Sequence, residues 1–275
     1  MGTTVGIVGT GVMGAALVRG WLRSPDPARE LLVCDFPDGR AQNLADIERV
    51  TVVASIGDMA RRAEVIMVVV KPTDTLAALA SLRPAVGQGT TIISSATGIS
   101  LERMRLTVGP GPALLRVVPN LGVELGEGVV VLSPEPGTDS DLVRRTAELF
   151  ACLGVVEVLA EDALDAVAAV AGSSIGFLAL ALEGVEEGAV SLGLPRAAAR
   201  VFVRQTALAA ALLLRNHPGS PADLKDQVAS PGGSTIAGLA VLEDAGVRGA
   251  FIRAIEEAAE RSRRLRDLDC SPVIE

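Results

Sequence analysis

Several residue types on which common binding sites depend are scarce in this 275-residue chain. Its three cysteines, Cys34, Cys152 and Cys270, are odd in number and widely separated, which fits neither a disulfide framework nor a zinc site. Its formal charge of −8 leaves little to neutralise the phosphates of a nucleic acid. Its first residues show neither the basic region nor the cleavage site of a signal peptide. We therefore expect a cytoplasmic protein that binds no nucleic acid and no metal.

One uncharged run, residues 166–182, raises the question of a membrane span. The run is shorter than the roughly 20 apolar residues that a bilayer requires, contains glycine and serine, and is flanked by Asp165 and Glu183. We therefore expect no membrane span. A helix that is apolar on every side needs protein around it, so the run favours a subunit interface.

The first half of the chain alternates short β-branched runs with helical runs. This alternation is typical of right-handed βαβ units and a mainly parallel sheet. After about Leu159 only helical patterns remain, the last of them from Val247 to about Leu268. We predict a Rossmann-type, doubly wound α/β domain over 1–160 and an all-α domain over 161–275. Strands are expected in the segments TVGIVG, LLVCD, VTVVA, VIMVVV, TIISS, LLRVV, GVVVLS and VVEVL.

A glycine-rich turn follows the first predicted strand and precedes a helical run. Gly9, Gly11 and Gly14 have the G-x-G-x-x-G spacing, which permits a tight turn and lets a pyrophosphate approach a helix N-terminus. Because the motif lies between a strand and a helix, it predicts dinucleotide binding by this turn, which includes Val12 and Met13.

An acidic residue ends the second predicted strand. Asp35 follows Gly14 by about 20 positions, the spacing at which a carboxylate contacts the 2′-hydroxyl of a ribose and repels a 2′-phosphate. Asp35 therefore favours NADH, although the nearby Arg40 leaves NADPH open. The alternative is that Asp35 only caps a turn.

Residues that commonly donate protons in reductases are almost absent. The chain has no tyrosine, one histidine, His217, and two lysines, Lys71 and Lys225. His217 lies in the polar stretch RNHPGSP, which predicts a solvated turn, and the long helix of the second domain contains no lysine. Reduction of a ketone usually requires such a donor. The composition therefore favours a protonated imine, which already carries its positive charge when hydride arrives.

The stretch DQVASPGGSTIAGLAVLE, at 226–243, separates two helical runs by a loop rich in glycine and hydroxyl groups. It closely resembles the signature of pyrroline-5-carboxylate reductases, in which this loop ends in Pro-Gly-Gly-x-Thr. GIVGTGVMGAAL, VVVKPTD, SATGIS and RVVPNLG support the resemblance, which extends over nearly the whole chain. It implies reduction of a cyclic imino acid by NADH or NADPH, with 1-pyrroline-5-carboxylate as the expected substrate and L-proline as the product. It also implies that the helical domain binds substrate and forms a homodimer or a ring of dimers.

The resemblance assigns the loop a role in binding substrate. Ser230, Gly232, Gly233 and Ser234 match the loop that holds the substrate carboxylate, a role suited to uncovered amides at a helix N-terminus. Thr235 matches the threonine that hydrogen-bonds the ring nitrogen, and we expect it to be catalytic. The alternative is a helix capped by Ser234 with no ligand.

The resemblance also assigns residues of the first domain to the cofactor. Lys71 and Pro72, after the fourth predicted strand, match a Lys-Pro pair beside the cofactor. The carboxyl end of a parallel strand is where ligands bind in such sheets, so we expect Lys71 to act in catalysis as well. Asn120 matches a Pro-Asn near the nicotinamide.

The chain departs from the family on its long helix. Members commonly have Ser-Gly-Ser-Gly-Pro-Ala-Tyr where this chain has AGSSIGF at 171–177. Ser173 is retained, and we expect it to assist in binding the carboxylate. The change leaves two alternatives open. One is a reductase of a different cyclic imine, such as a piperideine carboxylate, in specialised metabolism, and the other is a non-catalytic dinucleotide-binding accessory protein.

Overall fold

The first half of the chain forms an eight-stranded sheet with the order β3-β2-β1-β4-β5-β6-β7-β8. The computed structural model describes residues 3–24, 30–35, 40–216 and 218–268. All neighbouring strands are parallel except β6 and β7, and each of the eight predicted segments forms a strand, which confirms the doubly wound α/β class. The strands are β1 (Val5–Val8), β2 (Leu31–Cys34), β3 (Val50–Val52), β4 (Val65–Val68), β5 (Thr91–Ser94), β6 (Ala113–Pro119), β7 (Gly128–Pro134) and β8 (Gly154–Val158).

Helices cover both faces of this sheet. Every residue of β1, β2 and β4 is buried, which explains their continuous apolar sequences, since a parallel sheet has no solvent face. One face packs against α1 (Val12–Arg23) and α5 (Ser140–Phe150). The other face packs against α2 (Ile56–Ala60), α3 (Pro72–Leu82) and α4 (Leu101–Val108).

The strand order reverses direction between β1 and β4. In sheets of this kind ligands bind outside the carboxyl ends of the strands, at the point of reversal. The loops after β1, β2, β4 and β5 leave the sheet at that edge. The fold therefore brings the glycine turn, Asp35 and Lys71 to one edge of the sheet, as the sequence predicts.

The helix after the glycine turn is anchored by the single tryptophan of the chain. Trp21, on α1, is 2% exposed, and its Nε1 donates a 3.0 Å hydrogen bond to the carbonyl oxygen of Leu149. Its ring centroid lies 5.3 Å from that of Phe150, at the end of α5. These contacts fix α1 against the sheet.

Beyond β8 the described elements are helical, as predicted. They are a 3₁₀ turn (Glu161–Ala163), α6 (Leu164–Val167), a π-helical turn (Ala168–Ser173), α7 (Ser174–Ser191), α8 (Arg196–Asn216), α9 (Pro221–Gln227), α10 (Ser234–Asp244) and α11 (Val247–Leu268).

The described residues pack as two compact units. One contains those up to Gly172 together with those from Ala258 onward, and the other is Ser173–Glu257. The segment after residue 160 stays with the first unit because Leu164 and Asp165 are buried there, and Asp165 accepts a 2.6 Å hydrogen bond from the Ser262 hydroxyl. The last strand ends at Val158, close to the predicted domain boundary at 160/161. The packing division lies after Gly172 instead, and the functional division at 160/161 stays a prediction.

The unit Ser173–Glu257 has almost no core of its own. Among its described residues, Ala199 and Val203 are the only buried hydrophobic side chains. Many large apolar side chains on α7 and α8 are more than half exposed, including Leu178, Leu180, Val201 and Phe202. By length and composition alone, two stretches, Glu161–Ser191 and Arg196–Asn216, could cross a membrane. An exposed apolar surface of this extent is typical of an interaction site.

Candidate functional site

The turn between β1 and α1 leaves no room for a side chain at two of its glycines and leaves free space at the third. Gly9 has a left-handed φ of 97°, and a Cβ there would lie 2.6 Å from the carbonyl oxygen of Val69. A Cβ on Gly14 would lie 2.0 Å from the carbonyl oxygen of Gly9. A Cβ on Gly11 would meet nothing within 4 Å, and α1 has no side-chain cap. The amides that begin α1 therefore face open space, which suits a pyrophosphate.

A cleft of about 320 Å³ opens beside the turn. Val12 is 76% exposed at its edge, whereas Met13 packs against the core. Arg19 lies 3.3 Å from Glu124, and Arg40 forms no ion pair with any residue that the structure describes. The cleft lies beside the turn that the sequence assigns to a dinucleotide. It is lined by Thr10, Gly11, Val12, Ala15, Arg19, Arg40, Asn43, Leu44 and Glu124.

Asp35 lies at the end of β2, as predicted, but its carboxylate is engaged with the protein. Its Oδ1 accepts hydrogen bonds from the backbone N–H of Thr10, at 2.8 Å, and from the Thr10 hydroxyl. Its Oδ2 accepts a hydrogen bond from the backbone N–H of Ala41. Asp35 therefore ties the glycine turn to the 3₁₀ helix Arg40–Leu44. The hydrogen bonds that Thr10 donates to Asp35 were not predicted from the sequence. A contact between Asp35 and the ribose of the cofactor stays a prediction.

The residue before Asp35 is a buried thiol. Cys34 is 4% exposed, and burial together with the neighbouring charge of Asp35 raises the pKa of the thiol to about 12. The thiolate is the reactive form of cysteine, so Cys34 is inert at neutral pH.

Lys71 and Pro72 follow β4 at the same edge of the sheet. Pro72 is the first residue of α3, where its missing N–H leaves no hydrogen bond unmade. The Thr75 hydroxyl donates a 3.0 Å hydrogen bond to the Lys71 carbonyl oxygen and fixes this corner. The Lys71 side chain is exposed, and its ammonium forms no ion pair within the described ranges. It is therefore available to a ligand.

Asn120, which follows β6, is a junction in the first unit. Its Oδ1 accepts hydrogen bonds from the backbone N–H groups of Gly122 and Val129, both at 3.1 Å. Its Nδ2 donates a 3.0 Å hydrogen bond to the carbonyl oxygen of Ala171, within the π-helical turn. One Nδ2 hydrogen has no partner in these contacts, so a bond from Asn120 to the cofactor stays a prediction.

A charged pair near Asn120 was missed from sequence. Arg116, on β6, is 4% exposed, and its Nη1 lies 3.0 Å from Oε1 of Glu161. The signal was present in the segment LLRVV, because an arginine inside an otherwise apolar strand needs a partner when it is buried.

The loop between α9 and α10 belongs to the unit Ser173–Glu257. Gly232 has a left-handed φ of 68°, and the Gly233 N–H donates a 3.0 Å hydrogen bond to the Ser230 carbonyl oxygen. Gly233 is the N-cap of α10, and no side chain caps this helix, so Ser234 is its first residue rather than its cap. Ser234 and Thr235 are exposed. The first amides of α10 are therefore open to an anion.

The remaining predicted residue of this unit is Ser173. It is exposed and ends the π-helical turn Ala168–Ser173, a rare geometry that frequently occurs at functional sites. His217 lies outside the described residues. Over the ranges that the structure describes, no group of three or more His, Cys, Asp and Glu side chains could hold a metal ion.

Two family profiles match the chain. Residues 161–265 match the profile described as pyrroline-5-carboxylate reductase dimerisation. Residues 4–98 match the profile described as NADP oxidoreductase, coenzyme F420-dependent. The first match covers most of the predicted all-α domain, and the second covers the glycine turn and the strands β1 to β5.

Relatives with the same description cover nearly the whole chain. A pyrroline-5-carboxylate reductase from Synechocystis is 35% identical over 96% of this chain and 99% of its own. The structure of 1-pyrroline-5-carboxylate reductase from Streptococcus pyogenes has a TM-score of 0.82 at 28% identity and covers 95% of this chain and 98% of its own. A Plasmodium falciparum pyrroline carboxylate reductase with NADP bound shares the fold, with a TM-score of 0.85 at 24% identity over 96% of this chain and 98% of its own. The chain belongs to the pyrroline-5-carboxylate reductase family.

Proposed function

We propose that this chain reduces 1-pyrroline-5-carboxylate to L-proline with NADH or NADPH. The observation that carries the proposal is the uncapped N-terminus of α10 behind the left-handed Gly232, because open amides at a helix N-terminus favour a carboxylate. The names of the relatives support this substrate. The open glycine turn at Gly11 supports the use of a dinucleotide.

The residues at the sheet edge fit NAD(P)H because the amides at the start of α1 face open space beside a cleft. When bound, the reduced nicotinamide supplies the hydride. The chain's own contribution is to hold the two reactants at a fixed separation and orientation. We assign Gly9, Gly11, Val12, Met13 and Gly14 to the pyrophosphate, Asp35 to the adenosine ribose, and Lys71, Pro72 and Asn120 to the nicotinamide half.

We further propose a modest preference for NADH over NADPH. A carboxylate at the end of β2 repels a 2′-phosphate. Among the described residues Asp35 Oδ2 accepts one hydrogen bond, from the backbone N–H of Ala41, which leaves a lone pair for a ribose hydroxyl. The preference is small because Oδ1 is occupied by Thr10 and because Arg40 lines the cleft beside the glycine turn. Michaelis constants for the two cofactors test it, and a large advantage for NADPH would contradict it.

In the second unit, we propose that the loop and one serine bind the imine. The amides of Gly232, Gly233 and Ser234 hold the carboxylate, assisted by Ser230 and Ser173, and the Thr235 hydroxyl orients the ring nitrogen. The substrate nitrogen is protonated before the reaction, so hydride addition to the C=N carbon yields the neutral amine without a further proton. This agrees with a chain that lacks tyrosine and has one histidine.

We propose that the apolar surface of α7 and α8 is covered by a second copy of the chain, in a homodimer or in a ring of dimers. The match of residues 161–265 to a dimerisation profile supports the homodimer. A bilayer suits this surface less well because Arg196 pairs with Glu186 and Glu187 on it, at 3.1 and 2.7 Å. Together with the net charge of −8, this supports a cytoplasmic enzyme that binds neither membrane nor nucleic acid.

The deciding experiment measures oxidation of NADH and of NADPH with a five-membered and a six-membered cyclic imino acid. We expect turnover of 1-pyrroline-5-carboxylate with both cofactors. A second candidate, reduction of a piperideine carboxylate, is favoured by the segment AGSSIGF, in which Ile175 is 40% exposed. Higher kcat/KM on the six-membered ring would select it. Cofactor binding without turnover of either imine would instead indicate a non-catalytic accessory protein.

A further inference from the structure

The ion pair between the buried Arg116 and the partly exposed Glu161 joins three chain segments of the first unit. Besides Arg116 Nη1, the Glu161 Oε1 accepts a 2.8 Å hydrogen bond from the backbone N–H of Leu101, the first residue of α4. Arg116 Nη2 donates a 3.4 Å hydrogen bond to the carbonyl oxygen of Ala96. The pair therefore ties the loop 95–100 to β6 and to the chain that leaves β8.

Stability alone does not explain this pair. Its neighbours along β6, Leu114, Leu115 and Val117, are buried apolar residues, so an apolar side chain would fit the pattern of the strand. Burial removes the hydration of Arg116, whereas the Glu161 side chain stays 30% exposed, and replacement of buried charges by apolar residues is often neutral or stabilising. Arg116 Nε is buried and has no hydrogen-bond partner among the described residues. What the pair adds is a fixed position of the loop 95–100 relative to β6.

The loop that the pair holds leaves β5 at the edge where the dinucleotide binds. With the adenosine ribose on the β2 side, where Asp35 lies, the nicotinamide half lies on the side of β4 and β5. Apart from Ile99, which is buried in the core, the loop is built from small residues, and Gly98 has a left-handed φ of 89°. Its first residue is held by a 3.1 Å hydrogen bond from the Ser95 N–H to the Val68 carbonyl oxygen. Its far end is held by Glu161.

We propose that Arg116 and Glu161 are positioning residues that hold the loop 95–100 in place for the nicotinamide half of the cofactor. The inference rests on the proposed use of NADH or NADPH. Neither side chain touches the reacting atoms. Loosening the loop is therefore expected to weaken contacts of the nicotinamide and to leave those of the adenosine half unchanged.

The chain offers a matched ion pair at the other end of β6. Arg105 lies on α4, the helix that begins at Leu101. Its Nε and Nη2 donate hydrogen bonds of 3.1 and 2.5 Å to the two carboxylate oxygens of Glu135. It also donates hydrogen bonds to the carbonyl oxygens of Gly109 and Pro112, in the chain before β6. Glu135→Gln removes one charge of this pair without altering any contact of the loop 95–100. It is therefore the control for Glu161→Gln.

The test titrates both full-length variants with NADH and with ADP-ribose, which lacks the nicotinamide, in a calorimeter. We expect Glu161→Gln to weaken NADH binding about tenfold and to change ADP-ribose affinity less than about twofold, because only the nicotinamide meets the loop. Its kcat should fall about tenfold with the KM of the imine unchanged. Glu135→Gln should leave all these values within about twofold of the parent chain.

Equal weakening of NADH and ADP-ribose by Glu161→Gln, or the same selective loss in Glu135→Gln, would overturn the proposal. If Glu161→Gln does not fold, Arg116→Lys replaces it. Lysine keeps the charge opposite Glu161 but cannot hold Ala96 and Glu161 with the same planar fork, so it should still weaken NADH selectively. An unchanged ratio of the two affinities in Arg116→Lys would also overturn it. The ratio of the NADH and ADP-ribose affinities is measured without turnover. A parent chain that binds NADH but reduces no imine would therefore refute the proposed function and leave the positioning role of Arg116 and Glu161 to be decided by this ratio.

Discussion

Replacing Gly11 with alanine tests whether the open space at the start of α1 receives the cofactor. Gly11 has φ −64°, which alanine adopts readily, and a Cβ there would meet no atom within 4 Å. Alanine is a poorer N-cap than glycine but restricts the unfolded chain, and these two effects are opposed and each at most about 1 kcal/mol. We therefore expect the free energy of unfolding to stay within about 1 kcal/mol of the parent value.

The effect on the cofactor should be much larger. The added methyl group occupies the space through which a pyrophosphate reaches the first amides of α1. Loss of one hydrogen bond to a charged group is worth about 1.5–3 kcal/mol, which corresponds to a dissociation constant raised about ten- to hundredfold. Calorimetric titration with NADH and NADPH measures this change, and urea unfolding measures the stability of the same sample.

Two other glycines make the result interpretable. Gly87 also has no atom within 4 Å of its would-be Cβ, so Gly87→Ala should leave both stability and cofactor binding unchanged. Gly14→Ala places its Cβ 2.0 Å from the Gly9 carbonyl oxygen and should destabilise the fold itself. If Gly11→Ala is stable and binds NADH as tightly as the parent chain, the pyrophosphate does not lie against this turn.

Three further changes probe other parts of the chain. Thr235→Ala should lower kcat on the imine about ten- to hundredfold with cofactor affinity unchanged, because the lost hydroxyl orients only the substrate; a loss of NADH binding would contradict its role. Folding raises the pKa of Cys34 from 9.0 to about 12, so this stabilisation is complete below pH 9 and is lost as the pH rises toward 12. Urea unfolding between pH 8 and 10 should show stability falling by up to about 1.4 kcal/mol per unit above pH 9, and Cys34→Ala should remove that slope. Phe202→Glu, on α8, should convert a dimer to a monomer, and light scattering measures the mass. The control Leu106→Glu, at a site 74% exposed on α4, should leave the mass unchanged. Equal masses for both variants would count against the proposed interface.

Features that depend on local sequence could be predicted. The strands β1, β2 and β4 are apolar at almost every position because both sheet faces are covered, so their segments are recognisable from sequence. The glycine turn is recognisable from its spacing. Gly14 is required by a contact within the turn, with the Gly9 carbonyl oxygen, although Gly9 is required by the carbonyl oxygen of the distant Val69. The loop before α10 is equally local.

Features that depend on distant contacts could not be predicted. The spacing located Asp35, but its partner Thr10 lies 25 positions away, on a strand end that only the folded sheet brings beside it. Arg116 and Glu161 are 45 positions apart, and nothing in either local pattern identifies the other. The packing division after Gly172 is hidden for a related reason. Helical elements run without a break across it, and only the burial of side chains such as Leu164 distinguishes its two sides.

The isolated Trp21 gives this protein a built-in optical probe. The chain has one tryptophan and no tyrosine, so nearly all of its near-ultraviolet emission originates from α1, beside the glycine turn. That emission reports the unfolding of the first unit, whereas circular dichroism of the backbone reports every helix in the chain. Two melting curves that do not coincide would show that Ser173–Glu257 unfolds as a separate cooperative unit. Because bound NADH absorbs where tryptophan emits, the same residue can also report cofactor binding by energy transfer.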